Sequence, residues 1–319
     1  MKRALIMGIT GQDGAYLARL LLEKGYEVYG GYRRSANTNY ESLRYLDILE
    51  HVQMLPLEIL EISNIIRVLE YCKPDEVYNL AAQSFVGISF EQPLLTSDVT
   101  ALGALRVLEA IRTVNPKIRF YQASSSEMFG MATEVPQRET TRFYPRSPYA
   151  VSKVFAHHST VNYRESYGMF ACCGILFNHE SPLRGPEFVT RKITRAVAGI
   201  RAGKTRFLHL GNLEAQRDWG YAPEYVQMMW IMLQQKQPDD YVIATGEAHT
   251  VRDFAAEAFK IVDLDWKKYV RVDRSFKRPA EVSHLLGDAG KARRKLGWRP
   301  RTKFHELVKI MVEADLARV

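Results

Sequence analysis

The sequence predicts an α/β fold of Rossmann type: a mostly parallel sheet with helices on both faces, plus a smaller interleaved C-terminal unit. Three observations carry this. Short apolar runs alternate with helical stretches at the spacing of successive βα units through the first half of the chain. A glycine-rich turn, Gly8-Ile9-Thr10-Gly11-Gln12-Asp13-Gly14, joins the first apolar run to the first helix. The last third changes style, yet no repeat, low-complexity tract or Gly/Ser linker sets it apart. The expected division is therefore 1–177 for the sheet unit, with returning segments near 211–263, and 178–319 mainly for a second, substrate-binding unit.

Composition narrows the function. With 319 residues the chain can bury a large core. The net charge of +8 fits either nucleic acid or a pocket for anionic small molecules. Lys and Arg are scattered, the densest groups being Lys291 to Lys295 and Lys267-Lys268, and no nucleic-acid-binding motif appears, so no nucleic-acid partner is expected. No apolar run approaches the ~20 residues of a membrane span. Lys2 and Arg3 precede only the short run Ala4 to Met7, too short for a secretory signal core. Three cysteines, two of them adjacent in the apolar run Phe170 to Phe177, read as buried thiols in a reduced compartment, the cytoplasm.

In chain order, Lys2 to Met7 read as the first strand and Tyr16 to Lys24 as the helix after the glycine turn. Glycines there let a pyrophosphate rest against backbone at the helix N-terminus. Glu27 to Tyr32 form the second strand, and Arg33-Arg34-Ser35 stand at its end, where an Asp or Glu would meet a bare ribose. Two guanidinium groups suit a 2′-phosphate, so NADP is the expected cofactor. Val52 to Leu57 and Asp75 to Asn79 give the third and fourth strands, followed by Glu58-Ile59 and by Leu80-Ala81-Ala82-Gln83-Ser84. Helices are expected at Ile62 to Cys72, Leu95 to Thr113, Phe188 to Ala202, Tyr221 to Gln235, Val251 to Val262, Ala289 to Leu296 and Phe304 to Leu316. Phe207 to Leu210 reads as a short strand and Tyr241 to Ala244 as a further one in the main sheet. Asn178 to Gly185 reads as a loop leaving the sheet. His179 has no His, Cys or Asp partner at ligand spacing, so no metal is expected.

The chemistry concentrates between Gln122 and Lys153. Ile118 to Ala123 read as a buried strand that ends on Ser124-Ser125-Ser126-Glu127. Pro148 suits the first turn of a helix with Ser147 as its cap, and Tyr149 and Lys153 then share one face. A free phenol has a pKa near ~10, and a neighbouring ammonium lowers it toward use as a base. Ser125 can bond the substrate hydroxyl that Tyr149 deprotonates, and Glu127 is a second, separate base. With 17 tyrosines in the chain, a lone Tyr-x-x-x-Lys is a chance pattern, so the pair has meaning only beside the strand end and the glycine turn. In the last third, Arg217, in the stretch Gln216 to Gly220 read as a loop, Arg278, also in a loop, and Lys192 suit either ordinary surface or a substrate diphosphate.

With these pieces placed, the chain resembles the extended short-chain dehydrogenases/reductases and, nearly end to end, the GDP-mannose 4,6-dehydratase family. The blocks are Gly8 to Gly14, Asn79 to Ser84, Tyr144 to Tyr149, Asn178 to Gly185, Gln216-Arg217-Asp218-Trp219-Gly220 and Arg278-Pro279-Ala280-Glu281-Val282. The resemblance implies catalytic positions at Ser125, Glu127, Tyr149 and Lys153. It implies cofactor positions at Gly8, Thr10, Gly11, Gln12, Asp13, Gly14, Arg33, Arg34, Ser35, Glu58, Ile59, Leu80, Ala81, Ala82, Ser84, Tyr149, Lys153, His179 and Arg184. Around the GDP-sugar it implies Ser84, Asn178, Lys192, Arg217, Arg278 and Glu281, and it implies a homodimer or homotetramer. Three departures stand out: Ser125 where the family commonly has Thr, Leu57-Glu58 for a usual Gly-Asp, and Phe85 where many relatives carry His. The implied reaction oxidises C4 of GDP-mannose, eliminates water across C5 and C6, and returns the hydride to C6. Epimerases of the superfamily typically lack an acid at Glu127, and glucose-type dehydratases usually show Asp-Glu where this chain has Ser126-Glu127. A 4-keto-6-deoxy-GDP-sugar reductase and a non-catalytic NADP-binding module are the alternatives.

Overall fold

The structure, a computed structural model, describes residues 1–273, 279–282 and 284–319. Apolar runs lacking polar alternation become strands, the inner ones buried on both faces. They are β1 (Arg3–Met7), β2 (Glu27–Tyr32), β3 (Gln53–Pro56), β4 (Glu76–Asn79), β5 (Arg119–Ser125) and β6 (Ala171–Leu176). The helices among them are α1 (Gln12–Glu23), α2 (Glu41–Tyr45), α3 (Ile62–Cys72), α4 (Val86–Glu91), α5 (Pro93–Ser97), α6 (Gly103–Val114) and α7 (Pro148–Tyr167). Then follow β7 (Asn178–Glu180), α8 (Val189–Arg201), β8 (Leu208–Leu210), β9 (Gln216–Tyr221), α9 (Ala222–Leu233), β10 (Tyr241–Ile243), β11 (Ala248–Thr250), α10 (Val251–Lys260), α11 (Trp266–Tyr269), β12 (Val270–Val272), α12 (Gly290–Leu296) and α13 (Phe304–Leu316).

The main sheet has seven strands in the order β10-β6-β5-β4-β1-β2-β3, every pairing parallel. Helices α1 and α9 cover one face, sharing a core of Leu17, Leu21, Met229 and Leu233. Helices α3 and α6 cover the other, around Leu69, Leu108 and Phe120. Strand order reverses between β1 and β4, which opens a crevice at their carboxyl ends. A second core, with Ile193, Trp219, Phe254 and Met311, joins α8, α10 and α13 to the small β11-β9-β7 and β12-β8 sheets.

Strand β10 returns from the second half to the edge of the main sheet, as the apolar run at Tyr241 predicts. Three expectations need correction. The single helix Leu95 to Thr113 starts earlier, at Pro93, and passes through a π-helical turn at Asp98–Leu102 between α5 and α6. Asn178 to Glu180 is a strand and not a loop, paired with Trp219 to Tyr221 of β9. Gln216 to Gly220 is likewise strand and not loop. Its polar residues hide the strand from a hydropathy reading; inside, the buried Asp218 carboxylate accepts from Thr245 N at 2.8 Å, Thr245 Oγ1 at 2.6 Å and Gly246 N at 2.9 Å.

Candidate active site

A cavity of about 1140 Å³ opens at the crevice, lined by the glycine turn, the end of β5, the start of α7 and the segment after β6. Gly8 has φ +85, a conformation that favours glycine, and turns the chain out of β1. At Gly14 a Cβ would stand 2.5 Å from the Gly8 carbonyl oxygen, so only glycine lets α1 start this close beneath the turn. The two glycines hold a bare backbone concavity at a helix N-terminus, the form that suits a pyrophosphate.

Below it lies a buried polar network. Asp13 Oδ2 is 2.8 Å from His179 Nε2, and His179 Nδ1 donates to the Phe177 carbonyl at 2.7 Å. Burial alone pushes the Asp13 carboxyl up, but the charge and hydrogen bond of His179 outweigh it and hold it below the usual range. Burial pulls His179 down, and Asp13 outweighs that too, so the imidazole pKa is raised. Gln12 donates to Asp13 Oδ1 at 3.0 Å and to the His179 carbonyl at 3.1 Å, and accepts from Ser181 Oγ at 2.7 Å. Ring stacking of His179 on Tyr225, 4.7 Å between centroids, fixes the imidazole plane. His179 is thus held by Asp13, the Phe177 carbonyl and the Tyr225 ring.

At the other end of the cavity, the four acid-base residues come together. Ser125 closes β5, and its Oγ accepts from Glu127 N at 3.2 Å, capping the turn Ser126–Met128. Ser147 Oγ accepts from Ala150 N at 3.1 Å and caps α7, with Pro148 in its first turn, as read from the sequence. Tyr149 and Lys153 lie one turn apart on that helix and are both buried. Lys153 Nζ stands 5.7 Å from the Tyr149 ring centre and donates to the Ala123 carbonyl at 2.7 Å.

The expected lowering of the Tyr149 pKa is corrected by the surroundings. Burial pushes the phenol up to about 12, and the hydrogen bond with Ser125 only partly opposes it. Burial also pulls the Lys153 ammonium down to about 8. Burial thus disfavours the charged form of each group.

The other expected positions lie in different places. Gly8, Thr10, Gly11, Gln12, Asp13, Gly14, Leu80, Ala82, Ser84, Asn178, His179 and Arg184 line the cavity with the acid-base residues. Ala81 abuts Gly8 through its backbone, its N 3.0 Å from where a Gly8 Cβ would be. Arg33, Arg34 and Ser35 are exposed at the end of β2, outside the lining. Ile59 is a buried core side chain, and Glu58 accepts from Leu60 N at 3.2 Å, so neither side chain reaches the cavity. Lys192 lines a separate cavity of about 490 Å³ with Phe207, His209 and Asp273. Arg217 lies buried on β9 and not in a loop, its Nη1 donating to the Gln216 carbonyl at 2.8 Å, while Glu281 is half-buried. Arg278 lies outside the described residues.

Sequence reasoning missed two lining groups with partners of their own: Ser124, whose Oγ is 3.0 Å from His157 Nδ1, and Arg191, which is paired with Asp315. Only the helical register Tyr149, Lys153, His157 gave a signal for the first. Nothing local signalled the second. Among the described residues no helix is long and apolar enough to cross a membrane.

Fold and site together define an enzyme of the short-chain dehydrogenase/reductase class, with a dinucleotide-type turn and a Ser-Glu-Tyr-Lys set in one cavity. The fold resembles the UDP-glucose 4-epimerase of Thermus thermophilus solved with NAD (TM-score 0.87, 25% identity, 99% of this chain and 100% of that one). The family model for GDP-mannose 4,6 dehydratase matches residues 5–311. GDP-mannose 4,6 dehydratase 1 of Arabidopsis thaliana is 55% identical over 99% of this chain and 90% of its own length. The GDP-mannose 4,6-dehydratase of Yersinia enterocolitica is 51% identical over 99% and 94%. The chain belongs to the GDP-mannose 4,6-dehydratase family and is a carbon-oxygen lyase.

Proposed function

We propose that the protein converts GDP-mannose to GDP-4-keto-6-deoxymannose, with Ser125, Glu127, Tyr149 and Lys153 as its catalytic residues and NADP as its resident cofactor. The carrying observation is the convergence of those four side chains with the glycine turn in one cavity. The backbone concavity at Gly8 and Gly14 fits a pyrophosphate, and Thr10, Gly11, Gln12, Asp13, Leu80, Ala82, Ser84, His179 and Arg184 would hold the rest of the cofactor. Arg33 and Arg34, free of any acid at that strand end, favour the 2′-phosphate form. Bound there, a nicotinamide would supply a hydride acceptor for C4 and a donor for C6.

The chain's own residues move the protons. Tyr149 takes the C4 hydroxyl proton, helped by the Ser125 hydroxyl that bonds it. The buried Lys153 ammonium, one helical turn away, favours the phenolate over the phenol. The C4 ketone acidifies C5-H, which Glu127 removes. Glu127 then hands that proton to the departing C6 hydroxyl, so one carboxyl is base and then acid. Asn178, Lys192, Arg217, Arg278 and Glu281 are assigned to the GDP-sugar, and the 178–319 unit to nucleotide-sugar binding. Buried Cys72, Cys172 and Cys173 fit a reducing cytoplasm.

The test is mass analysis after incubation with GDP-mannose and catalytic NADP⁺. Substrate deuterated at C4 should give product labelled at C6; label lost to solvent, or a need for stoichiometric NADPH, refutes the reading. Cofactor-free protein should bind NADP⁺ more tightly than NAD⁺, and equal affinities would overturn the arginine assignment.

A further inference from the structure

At one side of the same cavity, helix α13 meets the segment Pro182–Arg184 through one buried guanidinium. Arg191, on α8, donates from Nε and Nη2 to the Asp315 carboxylate at 2.7 to 3.0 Å. Its Nη1 donates to the carbonyls of Pro182 at 2.6 Å and Arg184 at 3.0 Å. Thr194 Oγ1 donates to Asp315 Oδ2 at 2.7 Å, and Arg318 Nη1 donates to the Pro182 carbonyl at 2.9 Å. Asp315 is only 2% exposed and Arg191 9%. The next residue toward the glycine turn, Ser181, donates to Gln12. Hydrogen bonds from the end of α13 through Arg191 reach Pro182, and the peptide link to Ser181 carries the connection on to Gln12 in the glycine turn.

A buried ion pair by itself is weak grounds for a stabilising role, because desolvating both charges offsets their attraction. What distinguishes this pair is its geometry. The guanidinium fork is filled on one side by the carboxylate and on the other by two carbonyls of the cavity wall, a task its planarity suits and a lysine cannot do. We infer that Arg191 and Asp315 are positioning residues that set the Pro182–Arg184 wall, and through it the affinity for the nicotinamide dinucleotide. The inference rests on the cofactor reading above. Lys192, the neighbouring position on α8, faces the second cavity, so the same helix borders both cavities.

The experiment titrates cofactor-free protein with NADPH by nicotinamide fluorescence, beside thermal unfolding without ligand. Arg191→Lys keeps the charge opposite Asp315 but loses the fork. Its Kd for NADPH should rise by about ten-fold or more while the unliganded Tm stays within a few degrees. The pair Arg191→Met with Asp315→Leu removes both charges, should keep the fold, and should still bind NADPH weakly. A Kd within about two-fold of the unmodified protein in either variant overturns the inference. Hydrogen exchange on the unmodified protein covers the case in which a variant does not fold: NADPH should protect amides at 183–185 and at 315–318 together, and protection confined to the glycine turn overturns it. If unmodified protein binds NADPH yet leaves GDP-mannose untouched, the dehydratase reading alone fails.

Discussion

At the residue scale, Tyr149 and Glu127 should fail at different stages. Glu127→Gln keeps the Tyr149-Lys153 pair, so with GDP-mannose it should accumulate bound NADPH and an undehydrated keto-sugar. Tyr149→Phe should show no such signal, with turnover down by about 10²–10⁴; rapid mixing at the reduced-nicotinamide absorbance separates the two. Lys153 gives a second prediction, because its ammonium is buried in the cofactor-free protein. An unfolded lysine keeps its proton to the ordinary 10.5, the folded one only to about 8. Below that value both states are protonated and the burial penalty is present in full; between the two values the unfolded chain binds more protons, so stability rises with pH. Lys153→Met should therefore abolish activity yet raise the Tm near neutral pH, by an amount worth on the order of a few kcal/mol, with the advantage fading toward alkaline pH. The identity of these residues was legible in the sequence, because a strand end and a helical i, i+4 pair are local patterns. Their ionisation was not: it comes from burial beneath elements far along the chain. Arg191 and Asp315, 124 residues apart, were illegible for the same reason.

At the element scale, α7 carries Tyr149 and Lys153 on its first two turns, and Ser147 sets where it begins. Ser147→Ala removes one cap bond, worth about 1 kcal/mol of stability, which denaturant unfolding would read. Because Tyr149 lies two positions beyond the cap, kcat should fall further than so small a loss of stability accounts for. An unchanged kcat would mean that Lys153 and the Ala123 carbonyl alone fix the helix against β5. The strands of the main sheet and most helices were legible, since double-sided burial leaves unbroken apolar runs. Strand β9 was not, because Gln216, Arg217 and Asp218 show no alternation, and its buried carboxylate is satisfied by the distant Thr245 and Gly246. The glycine turn was read correctly in position, while its close contact between Gly14 and Gly8 emerged only from the packing.

At the scale of the whole molecule, α5, the π turn and α7 present large apolar side chains to solvent: Leu94 at 85%, Leu102 at 42%, Val151 at 55% and Phe155 at 42% exposed. Val151 and Phe155 are one helical turn apart, and a patch of this kind fits a face shared between copies of the chain. The proposed homodimer or homotetramer should give light scattering above the single-chain mass, and Leu94→Asp with Phe155→Asp should shift it toward that mass. A single-chain mass for unmodified protein would refute the proposal. The interleaving of the two units was legible only as the lack of a linker; what it means lies in β10. That strand seals the edge of β6, whose six residues are all buried, and it is synthesised long after the sheet it completes. A nascent or truncated chain ending near residue 177 must therefore expose an unpaired apolar strand edge, the kind that recruits other chains. Exchanging either half between proteins would leave β6 without its edge partner, so the two halves are not independent modules. Expression of 1–177 alone should give aggregates, whereas a chain reaching past Ala244 should stay dispersed.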